Sequence, residues 1–253
     1  MSKLSVVILT LNEEKNIGRC IDSVREIADE TIVVDSFSTD KTKEICEEKK
    51  VTFIRHKFEG YIEQKNWAKK QASHQYVLSL DADEALSEAL QAKILNMKNA
   101  GFKYDGYVFN RLTNYCGKWI RHCGWYPDRK LRLWDKEKGE WKGQNPHDRF
   151  EMQNDARIQF INEDILHYSF YTVEQHIETI NKFSTISARE LYGKGKRFSL
   201  LKLLFSPVWK FLHAFFIKKG FLDGFYGFVI CCNSSHSKFL KQVKLYQLWR
   251  QKK

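Results

Sequence analysis

Residues 81–84, Asp-Ala-Asp-Glu, are the densest chemistry in the chain. They close a short apolar run, Val77, Leu78 and Leu80, that reads as a buried strand of a parallel sheet. The carboxyl edge of such a sheet is where open α/β folds bind ligands. Asp81 and Asp83 stand two apart, so on a continuing strand both carboxylates face the same way. Two carboxylates on one side of a cleft suit a hard divalent cation that also bridges phosphates. The same residues suit an acidic strand-to-helix turn, with Glu84 to Ser87 starting a helix through Leu90, Ile94 and Met97.

The elements that would position this acidic edge are legible upstream. Residues 4–9 read as a first buried strand, and Thr10, Leu11 and Asn12 turn into a helix with Ile17, Cys20, Ile21, Val24, Ile27 and Ala28 on one face. Asn12 suits its cap, and Glu13 and Glu14 its first turn. Thr31 to Val34 is a second strand ending in Asp35, and a second helix carries Ile45 and Cys46. Val51 to Arg55 is a third strand, residues 61–73 are helical, and the strand into Asp81 follows. Strands alternating with helices predict a Rossmann-like α/β unit. The first strand is not followed by G-x-G-x-x-G, so no dinucleotide cofactor is expected. A parallel sheet brings Thr10 and Asn12, Asp35, and Asp81 and Asp83 to one edge. There they would meet a nucleotide's base and ribose, with Lys65 as a cation for its diphosphate.

Four stretches carry a family resemblance: Ser-Val-Val-Ile-Leu-Thr-Leu-Asn-Glu-Glu at 5–14, Val-Val-Asp-Ser-Phe-Ser-Thr-Asp at 33–40, Gln-Lys-Asn at 64–66 and Asp-Ala-Asp at 81–83. Together, in this order, they resemble family 2 glycosyltransferases over roughly residues 3–170. Within that family the chain looks most like the lipopolysaccharide-core β-glucosyltransferase group, on Asp-Ala-Asp-Glu, on residues 124–134 and on Pro-His-Asp at 146–148. The resemblance implies a GT-A fold, a Rossmann-like nucleotide-binding half (1–100) plus a mixed-sheet acceptor half (101–170). It also implies a nucleotide-sugar donor, UDP-glucose by the closest look, and Mg²⁺ or Mn²⁺ as cofactor. Thr10, Asn12 and Glu13 would line the nucleoside pocket and Asp35 would accept from the base. Lys65 stands where the family often has Arg, which loses a bidentate fork. Asp81 would hold the ribose and metal shell, Asp83 the metal, and His167, at the end of another strand-like run, would complete the metal's ligands. A hydrogen-bonded histidine at a strand end is the plainer account of His167.

Inverting transfer also needs a carboxylate on the acceptor side to take the acceptor hydroxyl's proton. Asp148 occupies the place of the family's base, with Asp128 and Glu84 as competitors. Around it, Tyr107, Phe109, Arg111, Leu131 and Leu133 predict strands of a mixed sheet. Trp125, Tyr126, Arg129, Arg132 and His147 form an aromatic and cationic set suited to stacking sugars and pairing with acceptor phosphates. The same composition suits single-stranded nucleic acid or an ordinary packed sheet with snorkelling cations.

Residues 172–191 predict a long helix. Beyond it, Leu200 to Ile217 is dense in Leu, Phe and Trp but interrupted by Lys202, Lys210, His213 and Pro207. A spanning helix needs about 20 mostly apolar residues. An interrupted, Lys-flanked stretch suits a membrane interface, or packing on the catalytic domain or a second subunit. Gly220-Phe-Leu-Asp-Gly and Gly227-Phe228 look like the tail of membrane-associated family 2 enzymes. Residues 171–253 are therefore expected to form a helical region on an anionic membrane surface, with the enzyme peripheral on the cytoplasmic face of the inner membrane.

The whole chain is consistent with this. Its 253 residues suit one large domain with an appendage, and a net charge of +11 calls for an anionic partner. Six cysteines without C-x-x-C spacing argue against a zinc site or a redox pair and favour a reducing compartment. The expectation is an inverting, metal-dependent hexosyltransferase acting on a lipopolysaccharide-core or other lipid-linked, phosphorylated saccharide. One rival transfers to a polyprenyl phosphate or a protein. The distant rival is a non-enzymatic nucleic-acid- or membrane-binding protein, of which nucleic acid is not expected as a partner.

Overall fold

The computed structural model describes residues 2–144 and 147–251, with backbone only for Gln144, His147 and Asp148. The chain divides into two compact units. The first comprises residues 1–111 and 128–168, the second residues 112–127 and 169–253. Segment 112–127, expected in the acceptor half, therefore belongs with the C-terminal residues.

In the first unit four parallel strands follow from four β-branched, apolar runs. These are β1 (Leu4–Thr10), β2 (Glu30–Asp35), β3 (Thr52–Arg55) and β4 (Tyr76–Asp81). The helices α1 (Ile17–Val24), α2 (Thr42–Glu48) and α3 (Tyr61–Gln71) connect them. β1 lies between β2 and β4, with Thr10 opposite Asp35 and Leu9 opposite Asp81. That register lines the three strand ends along one edge. β1 is buried on both faces, and Leu4, Val6, Ile8, Leu78 and Leu80 join Ile17, Cys20, Ile21 and Val24 of α1 in the main core.

After Asp81 the pattern departs from the sequence reading. Ala82 and Asp83 form a turn, and Glu84–Leu86 is a short strand, β5, not the first helical turn. The helix, α4 (Glu88–Ala100), starts four residues after Glu84, with Ser87 Oγ accepting from Leu90 N as its cap. β5 lies antiparallel to β11 (Ile158–Phe170), with His167 opposite Glu84. β6 (Gly106–Tyr115) and β8 (Asp128–Asp135) complete the mixed half, giving the order β3-β2-β1-β4-β8-β6-β11-β5. A separate hairpin, β9 (Gly139–Gln144) and β10 (His147–Met152), pairs Asp148 with Gly143. Trp134, Trp141 and Phe150 pack at its base, Trp134 stacked on Phe150 at 3.9 Å.

The second unit is mainly helical. The end of β6 pairs with β7 (Lys118–Ile120), and three helices follow: α5 (Val173–Gly193), α6 (Leu200–Leu212) and α7 (Gly224–Arg250). Thr172 and Gln175 cap α5 reciprocally. A π-helical turn, His213–Ile217, and a 3₁₀ turn, Gly220–Asp223, join α6 to α7. The buried Asp223 carboxylate collects the backbone N–H of Arg121 and His122 at 3.3 and 2.8 Å, pinning segment 112–127 to the helices. Gly220 and Gly227 let the two elements touch: a Cβ on Gly227 would come within 2.0 Å of the Gly220 carbonyl oxygen. Asn233, which begins an N-x-S match, instead reaches His176 Nδ1 at 3.1 Å.

Candidate functional site

The loops that follow β1 and β2 form one rim. Asn12, held at φ 55°, receives Thr39 N on its side-chain oxygen at 2.8 Å, while its own N–H donates to Ser38 Oγ at 2.8 Å. Glu13 N donates to Thr42 Oγ1 and Glu14 N to Asp40. The rim rests on Asp35, which is fully buried. Ser38 N donates to both of its oxygens, Ser38 Oγ makes a short bond to it, and Arg55 Nε approaches to 3.6 Å. Asp35, expected as a base acceptor, thus holds the loop that would meet the base. Thr10 Oγ1 is buried at the strand end and has no hydrogen-bond partner among the described residues. Burial, followed by Asp83, Asp40 and Asp81, raises the Glu13 carboxyl above the usual carboxylate value, against a hydrogen bond from Asn16.

At the end of β4 the strand stops at Asp81 and a turn follows, so the two aspartates meet different partners. Asp81 faces Arg132, whose guanidinium donates at 2.8 Å, and Lys65, whose Nζ lies at 3.9 Å. Burial alone would raise its pKa, but Lys65 and Arg132 outweigh it and hold the carboxyl well below the usual range. Asp83 sits in the turn, its Oδ2 3.1 Å from His167 Nε2 and its carbonyl accepting from Tyr168 N at 2.8 Å. The β5–β11 register brings His167 there.

Glu84 organises the pair. Its carboxylate accepts from Asp81 N at 3.1 Å, from Arg132 at 2.7 Å and from Arg111 at 3.3 Å. Arg111 continues to Asp128 at 2.6 Å, and Asp128 also meets Lys130 at 3.1 Å. The chain Asp81–Arg132–Glu84–Arg111–Asp128 is a ladder of alternating charge, buried at Arg132 and Glu84 and half-buried at its other members. Burial opposes charge on both arginines, yet Glu84 and the aspartates raise their pKa values. Both competitors for the base are therefore committed elsewhere: Glu84 is sealed between two arginines, and Asp128 is held ionised by Arg111 and Lys130 despite its burial.

Arg132 also departs from its expected acceptor role. It is only 4% exposed and turned inward, since Arg132, Leu133 and Trp134 lie on the buried end of β8. Lys65 is buried between Asp81 and the face of Trp141, 4.3 Å from the ring centroid. Beside it, Asn66 exchanges both amide hydrogen bonds with the Trp141 backbone at 2.8 and 2.9 Å, tying α3 to the hairpin that carries Asp148. The backbone of His147 and Asp148 lies in β10; their side chains lie outside the described residues. Arg129 stacks on Phe160 at 4.3 Å. In the second unit Trp125 packs on Tyr115, Phe170 and His176, which makes it a core residue of that unit, and Arg121 lies over Tyr126.

Asp83 and His167 provide one carboxylate and one imidazole side by side. No group of three or more His, Cys, Asp or Glu side chains set to hold a metal occurs among the described residues. The donor pair fits a divalent cation that draws its remaining ligands from phosphate oxygens and water. Asp81 and Asp83 stand out in the sequence, whereas Glu84 and Arg111 as their support do not. The available signal was Arg111, the single charge in β6, and the cations interleaved with Leu131 and Leu133 in β8.

Comparison with known proteins agrees with this geometry. Residues 5–153 match the family model described as glycosyl transferase family 2. An uncharacterised glycosyltransferase of Rickettsia typhi is 34% identical over 98% of this chain and 88% of its own length. The lipopolysaccharide core biosynthesis glycosyltransferase LpsC of Rhizobium meliloti is 30% identical, over 96% of this chain and 92% of its own. Among solved structures, a mycobacterial protein superposes with a TM-score of 0.50 at 15% identity, covering 74% of each chain.

Proposed function

The chain belongs to glycosyl transferase family 2 and has the GT-A fold, and on that premise we propose that it transfers a hexose, glucose from UDP-glucose, to a lipopolysaccharide-core or other lipid-linked saccharide with inversion. The non-enzymatic reading is set aside by the family. The observation that carries the donor site is the turn after β4. Asp83 and His167 meet at 3.1 Å, while Asp81 is held ionised beside them by Lys65 and Arg132. The loops after β1 and β2 end on the same sheet edge. The acceptor class is supported by LpsC, whose name refers to lipopolysaccharide core biosynthesis.

In this reading the nucleoside lies along Thr10, Asn12 and Glu13, with the rim held by Asp35. Thr10 Oγ1, buried and without a partner among the described residues, offers one unmet hydrogen bond to a ligand. Asp83 and His167 would hold Mg²⁺ or Mn²⁺, which when bound would neutralise the leaving diphosphate. Lys65 adds positive charge beside Asp81. Asp148 takes the acceptor hydroxyl's proton, and the hairpin that carries it is anchored to α3 through Asn66.

Calorimetry with UDP, UDP-glucose, GDP-mannose and ADP-heptose, each with and without Mn²⁺, tests the donor. The expected result is cation-dependent binding of UDP and UDP-glucose. Preference for a guanosine or adenosine donor would overturn the donor assignment. Asp148→Asn is expected to keep donor binding and lose transfer; retained turnover would move the base to another residue.

A further inference from the structure

The second unit carries the protein's positive charge. It has 17 lysines and arginines against four aspartates and glutamates, whereas the first unit has 25 against 27. It also turns apolar side chains outward. No residue of α6 is buried. Leu201, Leu204, Phe205, Val208, Trp209 and Phe216 recur at the helical period on one exposed stripe, with Leu201 at 69% and Trp209 at 65%. From the 3₁₀ turn and the start of α7, Phe221, Leu222 and Phe225 add to the exposed apolar surface of this unit. Exposed cations bracket the stripe in sequence: Lys194, Lys196 and Arg197 before it, Lys218 and Lys219 after it. A contiguous apolar face of this kind marks a docking surface.

We propose that this face docks on an anionic phospholipid surface, with α6 lying in the plane of the interface. The charge decides the partner. Two copies meeting face to face would bring together Lys202, Lys218 and Lys219 of each, whereas lipid phosphates neutralise them. Leu200–Ile217 is the one helical stretch among the described residues long and apolar enough to cross a membrane. Its surroundings favour lying flat. One side of α6 is held on α7, where Ser235 Oγ donates to the Pro207 carbonyl at 2.8 Å and Phe211 meets Phe228. Ala214 packs with Ile230 and Cys231 in the buried core of this unit. A crossing would carry α7, with Lys238, Lys241 and Lys244, into hydrocarbon. In the plane, the apolar stripe enters the acyl boundary and the lysines snorkel to the headgroups.

The surface deepens the proposed function by naming where a lipid-linked acceptor is met, and it is read independently of the reaction. The test is flotation of the full-length protein with vesicles of phosphatidylglycerol and phosphatidylethanolamine, or of phosphatidylcholine alone. Binding is expected to the first and to weaken in high salt. Phe205→Glu and Trp209→Glu should each lower it about tenfold, and Lys218→Glu with Lys219→Glu about fivefold per charge. Trp209 emission should shift to the blue on binding. UDP calorimetry on the same variants should be unchanged, so loss of lipid binding and loss of the donor site read out separately. Equal binding to both vesicle types, no binding, or resistance to carbonate extraction would each overturn the proposal. So would a wild-type dimer that Trp209→Glu converts to monomer.

Discussion

The two units solve opposite problems. The first turns charge inward: Glu84 and Arg132 are withdrawn from water with Asp81 and Arg111 half-buried beside them, and each is stable there because its neighbour carries the opposite sign. The second turns apolar groups outward and keeps its cations on the surface. Inward charge fixes a geometry, because a buried ion tolerates few positions for its partner. Outward apolar surface fixes no geometry of its own and gains its free energy on contact with something else. On the proposed readings one unit holds a small ligand and the other adheres to a surface.

The sharpest way to break this contrast is Asp83→Ala. Transfer should fall on the order of a hundred- to a thousandfold and cation-dependent UDP binding should vanish in calorimetry, with vesicle flotation unchanged. Loss of both would show that the two surfaces are not separable. Arg132→Met comes next. It leaves Glu84 and Asp81 short of a buried partner, so urea unfolding should show about 3 kcal/mol less stability. Adding Glu84→Gln should return part of the loss; an additive loss would mean that the ladder is not a coupled network.

In the second unit Gly227→Ala forces a Cβ onto the Gly220 carbonyl, so a cost of about 2 kcal/mol is expected. That loss should appear in the unfolding of this unit, with UDP affinity retained. The smallest effect concerns His176. Burial lowers its pKa to about 4, and Tyr115 Oη and Asn233 Nδ2 both reach its Nδ1. The neutral ring is favoured by the fold, and below about pH 6.5 the unfolded chain binds the proton first. Stability should therefore be full above pH 6.5, decline as the pH falls towards 4 and level off below it. His176→Gln should flatten that decline in unfolding measured across the same range.

Much of the donor side was legible because its signals are local. Apolar runs of strand length, each ending in a polar or acidic residue, specify β1, β2 and β4, and parallel pairing brings their ends together whatever the rest of the chain does. His167 entered the metal reading only through the family resemblance, since its meeting with Asp83 depends on the antiparallel pairing of β5 with β11. Glu84 read as a helix start because acidic residues are common there, and only that pairing made Glu84–Leu86 a strand. Arg132 read as an acceptor contact because β8 alternates cations with apolar residues, and the alternation does not say which face is buried. Trp125 read as a sugar platform because aromatics and cations interleave around it, and it is instead enclosed by Tyr115, Phe170 and His176.

By itself the sequence determined the α/β order, the acidic edge after β4, the family, and a basic, apolar C-terminal region. Each depends on residues close in sequence, where periodicity and spacing act directly. Tertiary structure decided which charges are ligand-facing and which are internal supports, which aromatic is core, and that segment 112–127 is tied to the C-terminal helices through Asp223. These depend on pairings across 27 to 105 residues, such as Arg111 with Glu84 and Lys118 with Asp223. The energy of a charge or an aromatic ring is set by what surrounds it, and that is known only once the chain has folded.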